Sequence, residues 1–318
     1  MFLGTSGGPP LHADRSEPAT LLIVDGRPYL IDCGIGTVRR LVKAGIGSET
    51  IKTIFFTHLH PDHTLGLADV MANDFEYIRQ RTRLGLSAET PDVFDVYGPR
   101  HTADVVQAAY RYLSIPYTVF AAEELSPAHP VSPFHAHDIQ GDGLVFRDDK
   151  IRVTAAENSH YTLMPAQFRR EMKSYAFRIE TPHGVVVFTG DTGPSDAVTR
   201  LAAGADVLVA EATVESDAAE VASLNRRAQQ NRWSPHRTQD LAAHFTESHL
   251  DLEHAAQLAS KAHAKSLLLY HSRTTDPAAS VTKVKETFSG PVFVPADLDR
   301  YCLGTTGTPP IEPCSATK

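Results

Sequence analysis

The stretch that decides the fold is Ile54-Phe55-Phe56-Thr57-His58-Leu59-His60-Pro61-Asp62-His63. Its apolar first half predicts a buried β-strand, and its second half places three histidines and one aspartate within six positions. Neutral imidazole nitrogens suit zinc, and a neighbouring carboxylate adds an anionic oxygen ligand. A lone His-x-His is usually a surface turn, but this longer pattern at the end of a strand predicts a metal site.

The composition is that of an ordinary globular protein, with 42% hydrophobic and 21% charged residues among 318. That length suits one large or two ordinary domains. A formal net charge of -8 argues against a general nucleic-acid binder, because such binding depends on clustered lysine and arginine. The best basic cluster, Arg79, Arg81 and Arg83, is more typical of a solvated helix face.

No apolar run approaches the roughly 20 residues that a membrane span requires, and no secretory leader is evident. The chain starts abruptly in what resembles half a strand, so its localisation is left open: cytoplasmic, or periplasmic or secreted if a leader has been removed. Cys33 is expected to be a buried small apolar residue. Cys302 and Cys314 could pair in an oxidising compartment, and the sequence does not decide this.

Strands and helices alternate in the first and last thirds of the chain, and strands dominate its middle. The Gly26-Arg27 turn predicts a β-hairpin over residues 20–33. Residues 124–142, with prolines at 127, 130 and 133, are predicted to be a loop, and the tail from 305 to be irregular. Further strands are predicted at 51–57, 93–97, 143–156, 174–180, 184–189, 206–211, 266–270 and 291–295. Helices are predicted at 37–44, after residue 65, from 100 to about 113, within 215–263 and at 277–288.

Four of these later strands lead to a side chain that can bind a metal or handle a proton. These side chains are His160, Asp191, Glu211 and His271. Polar residues collected from several strand ends at one edge of a sheet are how a rigid scaffold fixes a reactive site. The order of the strands predicts two sheets packed face to face, with helices outside.

This pattern resembles the metallo-β-lactamase superfamily, and within it the branch containing tRNase Z and the metal-dependent arylsulfatases. The resemblance covers most of the chain, and beyond the His58–His63 cluster it includes Leu3-Gly4-Thr5, Tyr29 to Gly34, Tyr97-Gly98-Pro99, Ala205 to Ala212, and His249 before an alanine-rich helix. It implies an α/β (α+β) fold, a four-layer αββα sandwich, with residues 1–318 as a single domain. Inserts at about 68–92, 114–142 and 214–248 would then shape the substrate pocket.

The same resemblance implies a site with two Zn²⁺ ions, or with another divalent metal such as Mn²⁺ or Fe²⁺. One ion would be held by His58, His60 and His160, the second by Asp62, His63 and His271, and Asp191 would bridge them. The implied catalytic residues are Asp62, Glu211 and His249. In this interpretation Asp62 orients the attacking hydroxide, and the carboxylate of Glu211 orients and charges the His249 imidazole, which protonates a leaving oxygen.

Two departures from the family's sequence pattern restrict the activities that the resemblance implies. The second-metal cysteine of class B β-lactamases is replaced by Asp191, which weakens an antibiotic-hydrolysing interpretation. Asp191 follows His160 by only 31 positions, too few for the substrate-gripping arm of tRNase Z. With the acidic balance, this favours a small-molecule substrate and makes a nucleic-acid partner unlikely; a homodimer is an open option. Candidate substrate-binding residues are Tyr161, Phe168, Trp233 and His236.

The sequence therefore predicts a zinc-dependent hydrolase of a small ester-like substrate, with sulfate esters and phosphodiesters favoured. Hydrolysis of a lactone or carboxylic ester, or hydrolytic dehalogenation, would use the same nucleophile. A tRNase Z-like endoribonuclease and a metal-binding protein without turnover are the remaining alternatives.

Overall fold

The computed structural model describes residues 1–8, 11–86, 93–123, 134–214, 216–304 and 311–314. In chain order its strands are β1 (Phe2–Gly4), β2 (Ala19–Val24), β3 (Arg27–Ile31), β4 (Thr53–Phe55), β5 (Phe94–Pro99), β6 (Phe134–Ile139), β7 (Gly143–Arg147), β8 (Arg152–Glu157), β9 (Tyr175–Thr181), β10 (Gly184–Phe188), β11 (Val207–Glu211), β12 (Leu267–Tyr270), β13 (Val292–Phe293), β14 (Tyr301–Leu303) and β15 (Ile311–Pro313). Its helices are α1 (Thr37–Lys43), α2 (Pro61–Thr64), α3 (Leu67–Arg83), α4 (Thr102–Glu123), α5 (Ala166–Arg169), α6 (Asp196–Leu201), α7 (Asp217–Asn231), α8 (Pro235–Glu247), α9 (Leu252–Lys261) and α10 (Pro277–Lys285).

Two large sheets contain most of these strands. The first has the order β1-β2-β3-β4-β5-β6, and the second has the order β13-β12-β11-β10-β9-β8-β7. The predicted hairpin between β2 and β3 is confirmed, and Asp25 and Gly26 both have positive φ at its turn. From β3 to β6, and from β10 to β13, neighbouring strands run parallel, so their carboxyl ends meet at common edges.

Three apolar clusters show that the layers are helix, sheet, sheet and helix. Between the sheets, β3 and β4 face β8 to β12, and the rings of Phe55 and Phe177 lie 5.9 Å apart. The outer face of the first sheet is covered by α1, α3 and α4, and that of the second by α6, α9 and α10. The predicted αββα sandwich is therefore confirmed, while the interpretation of residues 1–318 as a single domain stays a prediction.

Two predictions for the middle of the chain are wrong. Residues 134–139 form strand β6, not a loop; Phe134 and Ile139 are buried, while His137 on the exposed face contacts Asp95. Helix α4 continues past residue 113 through Pro116, because Leu113 and Tyr117 are both buried and the Tyr117 hydroxyl donates to Ala72 O. Residues 124–133, which hold the rest of the predicted loop, lie outside the described residues.

The carboxyl-terminal part of the chain contains a small two-stranded sheet. Strand β14 pairs with β15, and a disulfide joins Cys302 to Cys314. The prediction of an irregular tail is therefore wrong at 311–313, where Ile311 is buried, and residues 305–310 lie outside the description. Cys33 is fully buried, as predicted. Within the described ranges, no helix combines the length and the apolar character needed to cross a membrane.

Asp74 on α3 is a buried acid remote from the strand ends. Ser48 Oγ donates to its Oδ1 at 3.2 Å, and its Oδ2 has no hydrogen-bond partner in the part of the chain that is described. Burial raises the pKa of Asp74 from 3.8 to about 7. Between about pH 4 and pH 7 the folded state therefore binds more protons than the unfolded state, so this group's contribution to stability falls as the pH rises.

We expect Asp74→Asn to raise the free energy of unfolding by about 2 kcal/mol at pH 8, because the amide avoids burying a charge. The gain should shrink towards zero near pH 4, where the native carboxyl is already protonated. Urea unfolding at both pH values measures it. The exposed Glu123→Gln change is the matched control, and an equal effect of Asp74→Asn at the two pH values would contradict the prediction.

Candidate metal centre

Backbone geometry at the ends of β3 and β4 brings Asp62 and His63 towards the sheet edge. Pro61 occupies the first turn of α2, where its fixed φ favours a helix start. The segment that follows β3 is hydrogen-bonded to that turn: Cys33 N donates to His63 O at 2.8 Å, and Gly66 N donates to Cys33 O at 2.8 Å. A Cβ atom at Gly34 would lie 2.3 Å from Asp62 O, so only glycine permits this approach. The turn after β4 is thereby fixed against the preceding strand.

The other candidate ligands also follow strands. His160 comes after β8, His271 after β12, and Asp191 after β10 through Gly190, which has a φ of 59°. A Cβ atom at Gly190 would lie 2.9 Å from Thr57 Cβ, so the small residue lets Asp191 approach the first sheet. His271 itself has a positive φ of 49°, an uncommon conformation for a residue other than glycine and one that tends to occur at functional sites.

The predicted ligands converge into two groups, and within each group the candidate metal-binding atoms lie within 4.8 Å of one another. The groups are His58, His60, His160 and Asp191 on one side, and Asp62, His63 and His271 on the other. Asp191 links them, because its Oδ1 lies 3.5 Å from His63 Nε2 and its Oδ2 lies 3.4 Å from His271 Nε2 and 3.8 Å from His58 Nε2. All seven predicted ligand positions therefore meet at one place.

Four imidazoles are held through Nδ1, which leaves Nε2 directed to the cluster. His63 Nδ1 donates to Asp32 Oδ2 at 2.8 Å, and His160 Nδ1 donates to Ser248 O at 2.8 Å. The other two donate to hydroxyls that themselves donate to carboxylates: His58 to Thr57 at 3.0 Å, and His271 to Thr213 at 2.8 Å. Hydrogen bonds of this kind fix the tautomer of a metal-binding histidine.

The lone pairs of the candidate ligand atoms would be better satisfied by bound cations than by hydrogen bonds among the ligands themselves. The Nε2 atoms of His58 and His160 both lie 3.1 Å from His60 Nδ1, and a single proton there satisfies only one of them. His63 Nε2 and Asp191 Oδ1 are buried without a hydrogen-bond partner among the described residues. Buried polar atoms are normally satisfied, so this convergence fits two bound divalent ions, to which the residues could supply imidazole nitrogens and carboxylate oxygens.

The pKa shifts of three predicted ligands suit metal binding, whereas at His63 the carboxylates of Asp191 and Asp32 outweigh burial and raise the pKa well above its ordinary value. Burial, reinforced by the neighbouring imidazole of His63, holds the pKa of His58 well below its ordinary value, and burial beside His249 does the same for the pKa of His160. Burial alone would raise the pKa of Asp191, but His271 and His63 outweigh it and hold that pKa well below the ordinary value. Neutral imidazoles and an ionised carboxylate are the forms that bind metals.

Glu211 and His249 form a pair at the border of this cluster. His249 Nδ1 lies 2.9 Å from Glu211 Oε2, and the Glu211 carboxylate also accepts from Thr213 Oγ1 at 2.6 Å and from Thr192 N. Burial would lower the pKa of His249, but the adjacent Glu211 carboxylate outweighs it and raises that pKa. None of the described hydrogen bonds uses His249 Nε2, and His249 also forms, with Asp191 and His271, a further group whose candidate metal-binding atoms lie within 4.8 Å of one another.

The four predicted substrate-binding residues do not lie together in the structure. Tyr161 lies at the cluster, with its ring 5.4 Å from that of His60. Phe168 is half exposed on α5; Trp233 lies between α7 and α8; and His236 is exposed on α8, where it contacts Asp240. In the described structure no ring contact joins these last three to the ligand histidines, so their substrate-binding role stays a prediction.

Sequence reasoning missed the residues that hold the ligands in place. Asp32, Thr57 and Thr213 carry no metal-binding signature, and His244, whose ring lies 5.0 Å from that of His249, belongs to a helix with no buried residue. Asp32 follows a strand, as the four later candidate residues also do, but this position does not identify His63 as its partner.

We expect Asp32→Asn to weaken metal binding by about 10- to 100-fold, because His63 loses the charge that orients its ring and raises its basicity. Asparagine tolerates the φ of 56° at this position. Competition with a chromophoric chelator measures the affinity. The control is Asp74→Asn, which removes a buried charge that contacts no ligand histidine; equal metal affinity in the two variants would contradict the assigned role.

Comparison with known proteins agrees with this geometry. The family model described as "Beta-lactamase superfamily domain" matches residues 27–272. A protein named Ribonuclease Z from Mycobacterium bovis (strain BCG / Pasteur 1173P2) is 31% identical over 210 residues, covering 65% of this chain and 68% of that protein. Another Ribonuclease Z, from Mycobacterium avium (strain 104), is 30% identical over 274 residues, covering 85% and 84% of the two chains.

A solved structure shares the architecture. The metallo-beta-lactamase fold protein YhfI from Bacillus subtilis aligns with a TM-score of 0.66 and 18% identity, covering 93% of this chain and 95% of that one. At that identity the likeness concerns the fold alone. Together with the family match across more than half of the sequence, it identifies the chain as a member of the beta-lactamase superfamily, a metal-dependent hydrolase with the metallo-β-lactamase fold.

Proposed function

We propose that this hydrolase cleaves phosphodiester bonds and that its native metals are two zinc ions. The observation that carries the proposal is the Glu211–His249 pair beside the converged ligands. A proton donor is of most use when the leaving group is a poor one such as an alkoxide, and it contributes little when a stabilised phenolate departs. Alkyl and sugar phosphodiesters need such a donor, whereas aryl sulfates need it far less.

The described residues would have different roles in phosphodiester hydrolysis. Two divalent cations held by the seven ligand positions would lower the pKa of water to supply the nucleophile and neutralise charge on the substrate oxygens. Glu211 keeps the His249 imidazolium oriented through Nδ1, so His249 can hold a proton at Nε2 until a leaving oxygen takes it. Asp62, whose Oδ2 lies 3.3 Å from His271 Nε2, is placed to orient the attacking oxygen.

Tyr161 supplies a neutral wall at the other side of the cluster. Burial raises the pKa of its phenol, so the hydroxyl stays protonated at physiological pH. Its ring lies 5.4 Å from that of His60 and 6.0 Å from that of His58. A protonated phenol at this position can donate to an anionic phosphoryl oxygen, which is consistent with a phosphodiester substrate.

The relatives support a phosphodiester more than a sulfate ester. Two proteins at 30% identity or more are named as ribonucleases, and RNA is a phosphodiester polymer. The expectation that a nucleic-acid partner is unlikely is weakened by these names. The chain nevertheless has only α5, β9 and β10 between His160 and Asp191, so any grip on a polymer has to be built elsewhere.

A substrate panel tests the proposal on the purified, metal-analysed protein. Bis(p-nitrophenyl) phosphate, p-nitrophenyl sulfate, a lactone and an RNA with a 3′ extension should be compared by kcat/KM, before and after zinc reconstitution. We expect the highest values for phosphodiesters, with two zinc ions per chain. A sulfate or lactone turned over faster than every phosphodiester would overturn the proposal, and so would no turnover at all after reconstitution.

A further inference from the structure

We propose that the helical hairpin formed by α7 and α8 binds the phosphate backbone of single-stranded RNA, beyond the bond that is cleaved. The inference rests on the proposed phosphodiesterase function and names a polymeric substrate class for it. It starts from a segment, residues 217–247, that lies between Glu211 and His249 in the chain. Helix α8 has no buried residue, while α7 is anchored by the buried Leu224.

The tip of the hairpin is basic, although residues 217–247 as a whole contain four arginines and four acidic residues and have no net charge. Residues 222–239 contain four arginines and no acidic residue, in a protein with a net charge of -8. All four are exposed, and no carboxylate of the described residues pairs with any of them: they are Arg226, Arg227, Arg232 and Arg237. Exposed arginines without a described carboxylate partner can bind a polyanion, since each can displace a condensed counterion from a phosphate.

An aromatic platform lies among these arginines. The guanidinium of Arg237 is 4.8 Å from the centre of the Trp233 ring, and that of Arg227 is 5.5 Å from it. A groove of about 610 Å³ runs past Trp233, bordered by Asn225, Gln229, Arg232 and Gln239. A groove lined by an aromatic ring, an arginine and neutral amides, with two more arginines beside the ring, suits single-stranded nucleic acid, whose bases stack while phosphates contact arginine.

Helix α8 connects this surface to the catalytic pair. It begins at Pro235, next to the groove, and ends at Glu247, two residues before His249. Thirteen residues of α-helix span about 20 Å. At the far end the rings of His244 and His249 lie 5.0 Å apart. A strand of RNA held at the hairpin tip would therefore extend along a helix to the proton donor.

The charge also argues against a second copy of this chain as the occupant. A two-fold interface places the same patch on itself, so the four arginines of one copy would oppose those of the other. An extended polyanion meets no such repulsion. The hairpin would thus supply the grip that the short segment between His160 and Asp191 does not.

The experiment compares the metal-loaded wild-type chain with a variant in which Arg226, Arg227, Arg232 and Arg237 are all changed to alanine. A matched control removes four exposed arginines from other elements: Arg39, Arg111, Arg147 and Arg200. The probe is an RNA hairpin with a single-stranded 3′ extension. Its binding is followed by the fluorescence of Trp233, the single tryptophan of the chain, and by its inhibition of bis(p-nitrophenyl) phosphate hydrolysis across a salt series.

We expect RNA to quench Trp233, and the hairpin variant to lose about 100-fold in RNA affinity at low salt, with a shallower dependence on salt concentration. Its kcat/KM for bis(p-nitrophenyl) phosphate should match the wild type, and the control should lose much less RNA affinity. Equal losses in the hairpin variant and the control would overturn the inference. Normal RNA binding by the hairpin variant would also overturn the inference. This holds even if the variant changes the oligomeric state or the binding of an acidic protein.

The two proposals can fail separately. If the chain hydrolyses bis(p-nitrophenyl) phosphate but RNA neither quenches Trp233 nor inhibits, the function stands and the RNA surface is wrong. If RNA binds through the four arginines but no phosphodiester is hydrolysed after zinc reconstitution, the surface stands and the proposed function is wrong.

Discussion

Asp191→Asn is expected to reduce hydrolysis by about 10³-fold or more, because metal-assisted stabilisation is worth several kcal/mol in the transition state. Asp191 lies near both ligand groups: its Oδ2 is 3.8 Å from His58 Nε2 of one group and 3.4 Å from His271 Nε2 of the other, where Oδ1 is also 3.5 Å from His63 Nε2. Asparagine keeps the shape but removes the charge and one acceptor. We therefore expect the metal content to fall from two ions per chain to one or none, measured by elemental analysis of dialysed protein alongside kcat/KM.

Three comparisons sharpen this experiment. Asp196→Asn removes an exposed carboxylate five residues further along the chain and should leave metal content and activity unchanged. His60→Ala and His271→Ala each remove a ligand from a different group, so each should cost one ion. Circular dichroism excludes unfolding as the cause. Two tightly held ions and wild-type activity in Asp191→Asn would refute the shared-ligand assignment.

The convergence of the seven candidate ligands could be predicted because their signals are local. Four of them lie within six positions of one turn, and the other three follow strands that read clearly as apolar runs. Edge strand β6 failed as a prediction for a physical reason. Its sequence, Phe134-His-Ala-His-Asp-Ile139, carries polar side chains on the exposed face, and the prolines before it indicated a loop. The buried Phe134 and Ile139 mark the strand only once the neighbouring β5 is in place.

The supporting shell could not be predicted, because its contacts join distant positions. Asp32 meets His63 across 31 positions only because β3 and β4 are parallel neighbours in one sheet. Thr213 meets His271 across 58 positions because β11 and β12 are parallel neighbours in the other. Strand order and register decide both contacts, and neither can be read from the local pattern of residues.

His249→Gln is expected to lower kcat/KM for phosphodiesters with alkyl or sugar leaving groups by about 10²- to 10⁴-fold, the usual range for a lost general acid. With p-nitrophenolate as the leaving group the loss should be below about tenfold, because that anion departs without a proton. The physical reason is the position of His249, whose Nδ1 is held by Glu211 while Nε2 remains available. Steady-state kinetics over a series of leaving groups of graded pKa measure the effect.

The slope of log kcat/KM against leaving-group pKa distinguishes the loss of a proton donor from damage to the fold. Loss of a proton donor steepens this dependence, whereas a distorted metal centre lowers kcat/KM for all substrates by the same factor. Glu211→Gln should steepen the slope less, since the imidazole remains but loses the carboxylate that holds its charge. The matched control is His244→Gln, a neighbouring imidazole 5.0 Å from His249 with no described contact to Glu211. A uniform loss across the series in His249→Gln, with metal content intact, would show that His249 positions the site and does not donate the proton.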